Sequence, residues 1–359
     1  MFDWIPWSLY SPIYFYILSV IVFVVVIDSH AKIAPKGNKF QTLGVVLLIF
    51  SILYIGFRPL SGHYFGDTST YANKYKYYGS GGGLFSAKDL LFNLFMKGCS
   101  YIMNVHMFFT LCAILYVVPL YKICKKWFKE LWFFGFIFFI VSFSFWSYGT
   151  NGIRNGIAGS IFLLGVSKDK RTIQVALIFL SILIHKSMLL PAFGFISAII
   201  YNKPKIFIAF WLLSIPLSLI AGGAFETFFG KLGFDERLSY LTEGNVNNDN
   251  FSSTGFRWDF LIYSATAIFA GWYYIVKKNY NDKIYFWIFN TYVFANAFWI
   301  LVIRANFSNR FAYLSWFMIG LVIVYPLLRK TMLRKQYKTL GIILTIKFAF
   351  TFLMNIILG

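Results

Sequence analysis

The sequence predicts an all-α fold, a bundle of about twelve transmembrane helices in a polytopic integral membrane protein. Of its 359 residues, 59% are hydrophobic and 13% are charged, and the mean hydropathy is +0.67. A water-soluble domain cannot cover that much apolar surface. Long apolar runs, such as 10–27, 284–303 and 340–358, can cross a hydrocarbon core about 30 Å thick as helices. They lack the alternation of barrel strands.

Lysine-rich connectors between the apolar runs give the predicted topology. With these connectors in the cytoplasm, 20 of the 33 Lys and Arg residues lie inside and both termini lie outside. The predicted crossings are 10–28, 40–57, 101–121, 131–150, 154–167, 172–187, 188–201, 206–224, 259–276, 284–303, 311–328 and 339–358. The net charge of +20 therefore reflects membrane topology, and no nucleic-acid partner is expected.

Arginine does not follow the lysine pattern. Six of the arginines fall on the predicted outer side, namely Arg58, Arg154, Arg237, Arg257, Arg304 and Arg310. A planar guanidinium donates two parallel hydrogen bonds to phosphate or carboxylate. The outer arginines are therefore candidates for binding an anionic substrate, and Arg237, beside two acidic residues, is expected to be a solvated loop charge.

Two long outer loops, 58–100 and 225–258, interrupt what is otherwise a single integral membrane domain over 1–359. The first is expected to contain a short amphipathic helix near 88–97. The sixth and seventh crossings are expected to form a hairpin whose tip is His185-Lys186-Ser187. Long loops on a rigid scaffold commonly carry function.

Arg154 lies in the glycine-rich stretch 148–160, at the predicted start of a crossing. Glycine allows a ligand to approach the backbone, and a helix N-terminus attracts anions. The alternative is an interfacial arginine that pairs with lipid headgroups.

His185 stands among apolar residues, where an ionisable side chain needs a partner or water. It is a candidate base, or else a hydrogen-bonded structural histidine.

The remaining candidates each have a local alternative. Asp67 is either an outer base or a turn and helix N-cap residue. Arg257 binds a ligand or forms an ion pair with Asp259. Outer aromatic residues, Tyr71 and Trp258 among them, are able to stack on sugars, although most aromatics of such a chain face lipid.

Several of these elements, taken in order, resemble the EpsG/Wzy family of bacterial polysaccharide polymerases. They are Arg58 with Gly66-Asp67 and Tyr71, the stretch 154–158 (Arg-Asn-Gly-Ile-Ala), the stretch 184–189 (Ile-His-Lys-Ser-Met-Leu), and a late arginine, Arg304 or Arg310. Asn155 departs from the glutamine that relatives often carry after the arginine.

The resemblance implies a GT-C-like glycosyltransferase of the bacterial cytoplasmic (inner) membrane, with its active site facing the periplasm or exterior. A growing glycan would leave undecaprenyl pyrophosphate for a new lipid-linked repeat unit. Arg154, Arg257 and Arg310 would bind the pyrophosphate, with Arg304 and Arg58 as second choices, and Arg154 would also be catalytic. His185 or Asp67 would be the base.

The expected partners are the lipid-linked donor and acceptor, membrane lipids and, as an optional partner, a chain-length regulator. No cofactor or metal is expected, because the sequence has no Walker A loop, no dinucleotide-binding motif and no metal-ligand spacing. Two alternatives stay open. One is an O-antigen ligase, which uses the same donor, and the other is a flippase or other transporter.

Overall fold

The computed structural model describes residues 2, 4–32, 39–84, 89–231, 255–305 and 308–358, and every regular element in these ranges is helical. The α-helices are α1 Trp7–Ala31, α2 Gln41–Gly56, α3 Gly62–Phe65, α4 Thr68–Gly79, α5 Leu90–Ser100, α6 Val105–Phe128, α7 Trp132–Ile140, α8 Phe143–Thr150, α9 Ile153–Val166, α10 Arg171–Ile184, α11 Leu189–Ile200, α12 Pro204–Lys231, α13 Trp258–Trp272, α14 Lys283–Leu301, α15 Asn309–Trp316, α16 Ile319–Arg329 and α17 Gln336–Phe352. The predicted all-α fold is confirmed.

Apolar helices of membrane-spanning length recur along the part of the chain that the structure describes. There, seven stretches qualify by length and composition: Trp7–Ala31, Val105–Ile140, Pro204–Phe229, Trp258–Lys277, Lys283–Leu301, Asn309–Arg329 and Gln336–Ile357. Four shorter apolar helices accompany them: Gln41–Gly56, Ile153–Val166, Arg171–Ile184 and Lys186–Ile200. The predicted crossings 101–121 and 131–150 share the stretch Val105–Ile140. The multi-pass membrane bundle is therefore confirmed.

The helices pack in two units, of which the first comprises Met1–His185 and Leu327–Gly359. In it α1 packs along α17, α2 and α9 pack on α6, and α10 packs on α9 and α5. The α1–α17 pair is joined by the Tyr337 hydroxyl, which donates to the buried Asp28 carboxylate at 2.6 Å.

The second unit, Lys186–Pro326, is organised around α14, which packs against α11, α12 and α15. Asn296 lies at its centre and is fully buried. Its side-chain oxygen accepts from Trp211 Nε1 at 2.7 Å, and its amide donates to Ser264 Oγ at 3.1 Å and Ser315 Oγ at 3.0 Å. A polar side chain is stable among apolar helices when its hydrogen bonds are made in this way.

Both predicted outer loops are more helical than expected. The loop 58–100 contains α3, α4 and α5, and α5 confirms the predicted short amphipathic helix a few residues further along. The second loop begins later than the predicted residue 225, because α12 continues to Lys231 after an irregular residue at Ala221, with φ −128° and ψ 20°. The rest of that loop up to residue 254, including Arg237, lies outside the described residues.

The predicted crossing 131–150 is two helices, α7 and α8. The chain leaves helical geometry at Ser142, with φ −69° and ψ 139°, and resumes it at Phe143. The Ser142 hydroxyl donates to the Phe138 carbonyl at 2.6 Å, which satisfies one of the main-chain acceptors left at the end of α7. As a result, α8 is a separate short helix that leads into the turn before α9.

Candidate anion-binding site at Arg154

Arg154 lies in the first turn of α9, directly after a tight connection from α8. The N–H groups of Asn151 and Gly152 both donate to the Ser147 carbonyl, at 2.9 and 2.8 Å, and α9 begins at Ile153. The N–H groups of a first helical turn have no acceptor inside the helix, and the helix dipole adds partial positive charge there. The arginine therefore stands where an anion is already favoured.

The guanidinium of Arg154 is held by two acceptors. Its Nε donates to the Tyr71 hydroxyl at 2.9 Å, and its NH1 group pairs with the Asp89 carboxylate. Within the described residues, NH2 has no hydrogen-bond partner, and 32% of the side chain is exposed. The arginine is thus oriented by the protein on one side while it keeps a donor available on the other.

Tyr71 lies in α4 and Asp89 lies directly before α5, so both come from the first long loop. The Tyr71 ring is buried and packs edge-on against Phe92 of α5, with ring centroids 5.9 Å apart. Burial raises the pKa of the Tyr71 hydroxyl, although the nearby Arg154 opposes that effect, so the hydroxyl is a neutral acceptor at physiological pH. In this arrangement Tyr71 holds the arginine, and its predicted sugar-binding role stays a prediction.

Asp89 is the residue of this site that the sequence did not indicate. It directly precedes α5, has a left-handed backbone with φ 47°, and its side chain is 11% exposed. An acidic residue at the start of a short amphipathic helix is the one signal for it. That signal does not reveal a partner 65 positions along the chain.

Asp67 lies beside this site. It stands immediately before α4, its side chain is exposed, and within the described residues that side chain makes no capping hydrogen bond. Its main-chain N–H donates to the side-chain oxygen of Asn151 at 2.9 Å. The negative charge of Asp67 also helps to raise the pKa of Tyr71. The carboxylate is therefore close enough to act electrostatically on the site.

His185 directly follows α10 and is buried. The helices α9 and α10 are joined by only four residues, 167–170, and pack closely, so they form an antiparallel hairpin. The last residue of α10 consequently lies at the same end of the hairpin as the first turn of α9. A one-turn 3-10 helix, Lys186–Met188, follows at the predicted tip, and the predicted hairpin of the sixth and seventh crossings stays a prediction.

Arg58 is completely buried, unlike Arg154. Its Nε donates to Thr68 Oγ1 at 2.9 Å, its NH1 donates to the Ile55 carbonyl at 2.7 Å, and its guanidinium lies 4.3 Å from the ring centre of Phe109. Burial lowers the pKa of Arg58 to about 10, so the group stays charged at neutral pH. Its predicted contact with pyrophosphate is untested.

The remaining candidates belong to the second unit. Arg257 makes two hydrogen bonds to the Asp259 carboxylate, at 2.9 and 2.6 Å, which is the ion pair considered as its alternative role. Arg304 donates to the Leu219 carbonyl at 3.4 Å, and Arg310 is half-buried in the first turn of α15. Trp258 is 54% exposed at the start of α13. Whether these residues serve the same ligand as Arg154 stays a prediction.

Apolar helices throughout the chain, together with an oriented arginine at a helix N-terminus, define a multi-pass membrane protein with a candidate anion site. The family model described as the EpsG family matches residues 41–359, and the chain belongs to that family. The predicted resemblance is confirmed. Membership of this family makes the protein a membrane protein of the polysaccharide polymerase type, a glycosyltransferase-like polymerase. Searches of curated proteins and of solved structures give no match.

Proposed function

We propose that the protein transfers a growing glycan from undecaprenyl pyrophosphate to a new lipid-linked repeat unit, at the outer face of the bacterial cytoplasmic (inner) membrane. The observation that supports this most is the state of Arg154. Tyr71 and Asp89 orient its guanidinium, and no described residue accepts a hydrogen bond from NH2 at the N-terminus of α9. A charged donor in that setting suits a phosphate oxygen.

In the proposed reaction a hydroxyl of the acceptor sugar attacks the anomeric carbon of the donor glycan. The bond between that carbon and the pyrophosphate oxygen breaks, and its electron pair leaves with the lipid pyrophosphate. Arg154 stabilises the charge that develops on the departing oxygen. His185 or Asp67 takes the proton of the attacking hydroxyl.

The sequence prediction adds further candidate ligands to this proposal. Arg257, Arg304 and Arg310 are the other arginines that it assigns to the pyrophosphate, and Trp258 has an exposed ring that can stack on a sugar. Arg257 would have to exchange Asp259 for a phosphate, and since that ion pair is partly exposed, the exchange costs little.

The direct test is the length of the polymer made by Arg154 variants in a deletion strain. Arg154→Ala is expected to abolish long chains while the protein still inserts in the membrane. Arg154→Lys is expected to be impaired too, because one ammonium cannot replace a planar fork held by two acceptors. Arg171→Ala is the matched control, since Arg171 begins α10 at the opposite end of the same hairpin. A normal chain-length ladder from Arg154→Ala refutes the assignment.

The same strain separates the alternatives. A polymerase deletion retains one repeat unit on the acceptor, whereas deletion of a ligase removes all surface O-antigen. A flippase or other transporter would give no polymer from purified protein and lipid-linked repeat units in detergent, and a polymerase would.

The proposed orientation is tested by labelling whole cells with a membrane-impermeant maleimide. Ser80→Cys, in the exposed turn after α4, is expected to react, and Lys170→Cys, in the α9–α10 connection, is expected to react only after lysis. The native Cys99, Cys112 and Cys124 are buried, so they give little background. The opposite labelling pattern refutes the proposed side.

A further inference from the structure

The segment 58–71 is hydrogen-bonded at three positions to the stretch 150–154, which runs from the end of α8 into the first turn of α9. Thr68 bonds to Thr150, the backbone of Asp67 bonds to Asn151, and Tyr71 bonds to Arg154. The third contact belongs to the candidate site. The first two involve the residues immediately before α9, and neither has a role in the proposed reaction.

The first contact is a relay that starts at a buried charge. Arg58 donates to Thr68 Oγ1, so the threonine hydroxyl has a fixed acceptor role there and directs its own proton to the Thr150 carbonyl, 2.8 Å away. All three residues are buried. A hydroxyl polarised by a cation donates more strongly, and hydrogen bonds in a low dielectric reinforce one another.

The second contact leaves no room for a side chain on the facing residue. Gly66 has φ +53°, which favours glycine, and a Cβ there would lie 2.4 Å from Asn151 Oδ1. This closeness lets the Asn151 side chain reach the main-chain N–H of Asp67 at 2.9 Å. Two contacts therefore hold the turn before α9. The side chain of Asn151 accepts from the N–H of Asp67, and the carbonyl of Thr150 accepts from the hydroxyl of Thr68.

We propose that Thr68 and Asn151 are positioning residues that hold the start of α9, and with it Arg154, in the orientation that binds the donor pyrophosphate. Arg58 acts through Thr68 from its buried position and does not touch the substrate. This inference rests on the proposed function of Arg154. It assigns the first long loop a mechanical role in the site in addition to supplying Tyr71 and Asp89.

The test compares the donor KM of purified variants in a polymerisation assay. Thr68→Val keeps the shape and removes the relay, and it is expected to raise the KM for the lipid-linked donor about fivefold, the equivalent of one lost hydrogen bond. Thr68→Ser keeps the hydroxyl and is expected to retain the wild-type KM. Asn151→Ala, at a half-buried position, is expected to raise the donor KM as well. This variant replaces Thr68→Val in the test if Thr68→Val does not fold.

Thr351→Val is the matched control for a purely structural loss. Thr351 is also buried, and its hydroxyl also donates to a main-chain carbonyl distant in sequence, that of Val141 directly after α7, at 2.8 Å. It is expected to lower thermal stability without changing the donor KM. A wild-type donor KM in both Thr68→Val and Asn151→Ala, or the same rise in Thr68→Ser, overturns the positioning role. Normal polymer from Arg154→Ala would instead overturn the proposed function itself.

Discussion

Asp89 places a negative charge on the guanidinium that is proposed to bind pyrophosphate. An incoming anion must share the arginine with this carboxylate or displace it. Asp89→Asn removes the negative charge alone, because asparagine keeps an oxygen that accepts from the NH1 group of Arg154. The variant is therefore expected to bind inorganic pyrophosphate more tightly than the wild type.

The size of the effect follows from the geometry of the guanidinium. A phosphate on NH2 lies about 6 Å from a carboxylate on NH1, where two unit charges repel by about 3 kcal/mol at an effective dielectric constant of about 20. Because 32% of the Arg154 side chain is exposed, screening by water and salt reduces this to about 1.5 kcal/mol. The dissociation constant is expected to fall about tenfold.

Isothermal titration of detergent-purified protein with inorganic pyrophosphate measures the effect. Asp169→Asn is the matched control, since it changes the net charge equally and lies in the α9–α10 connection, at the far end of the hairpin. Its dissociation constant is expected to stay at the wild-type value. Unchanged or weaker binding by Asp89→Asn refutes the competition between Asp89 and the ligand.

Three further predictions concern the surroundings of the site and the second unit. Tyr71→Phe removes one acceptor of the arginine but keeps the ring, and it is expected to raise the donor KM about fivefold in the polymerisation assay. Gly66→Ala is expected to destabilise the protein by about 1–3 kcal/mol and lower its unfolding temperature in detergent, whereas Gly83→Ala, in open space, is not. Asn296→Ala is expected to cost about 2 kcal/mol for three lost hydrogen bonds between helices, measured as a lower unfolding temperature; no change contradicts the role of that network.

Local composition was sufficient to predict the helices. Apolar runs bounded by lysine clusters predicted the long apolar helices, and the interruption at His185 is visible as polar residues inside an apolar region. Helix ends were less predictable, because α12 runs on through a stretch that reads as loop and Ser142 breaks an apolar run without any charge or proline. Such boundaries depend on which main-chain groups find acceptors in the packed bundle.

The contacts of the site could not be predicted from the sequence. Arg154 was found because glycine neighbours and a helix start mark it locally. Asp89 and Thr68 were missed, since their partners lie 65 and 82 positions away and nothing local indicates which residue they meet. Arg58 illustrates the same limit, because composition identifies a cation but does not tell whether it faces a ligand or is enclosed by the protein.

The α9–α10 hairpin is short compared with the hydrocarbon core of a lipid bilayer. Each of its helices has 14 residues and rises about 21 Å, whereas the hydrocarbon core is about 30 Å thick. The bilayer must therefore become thinner around the hairpin, or water must enter at one of its ends. Thinning of the bilayer shortens the distance between the headgroup level and the first turn of α9, and water that enters at that end of the hairpin does the same. Enzyme activity should therefore depend on acyl-chain length, falling as the lipids of the surrounding membrane become longer.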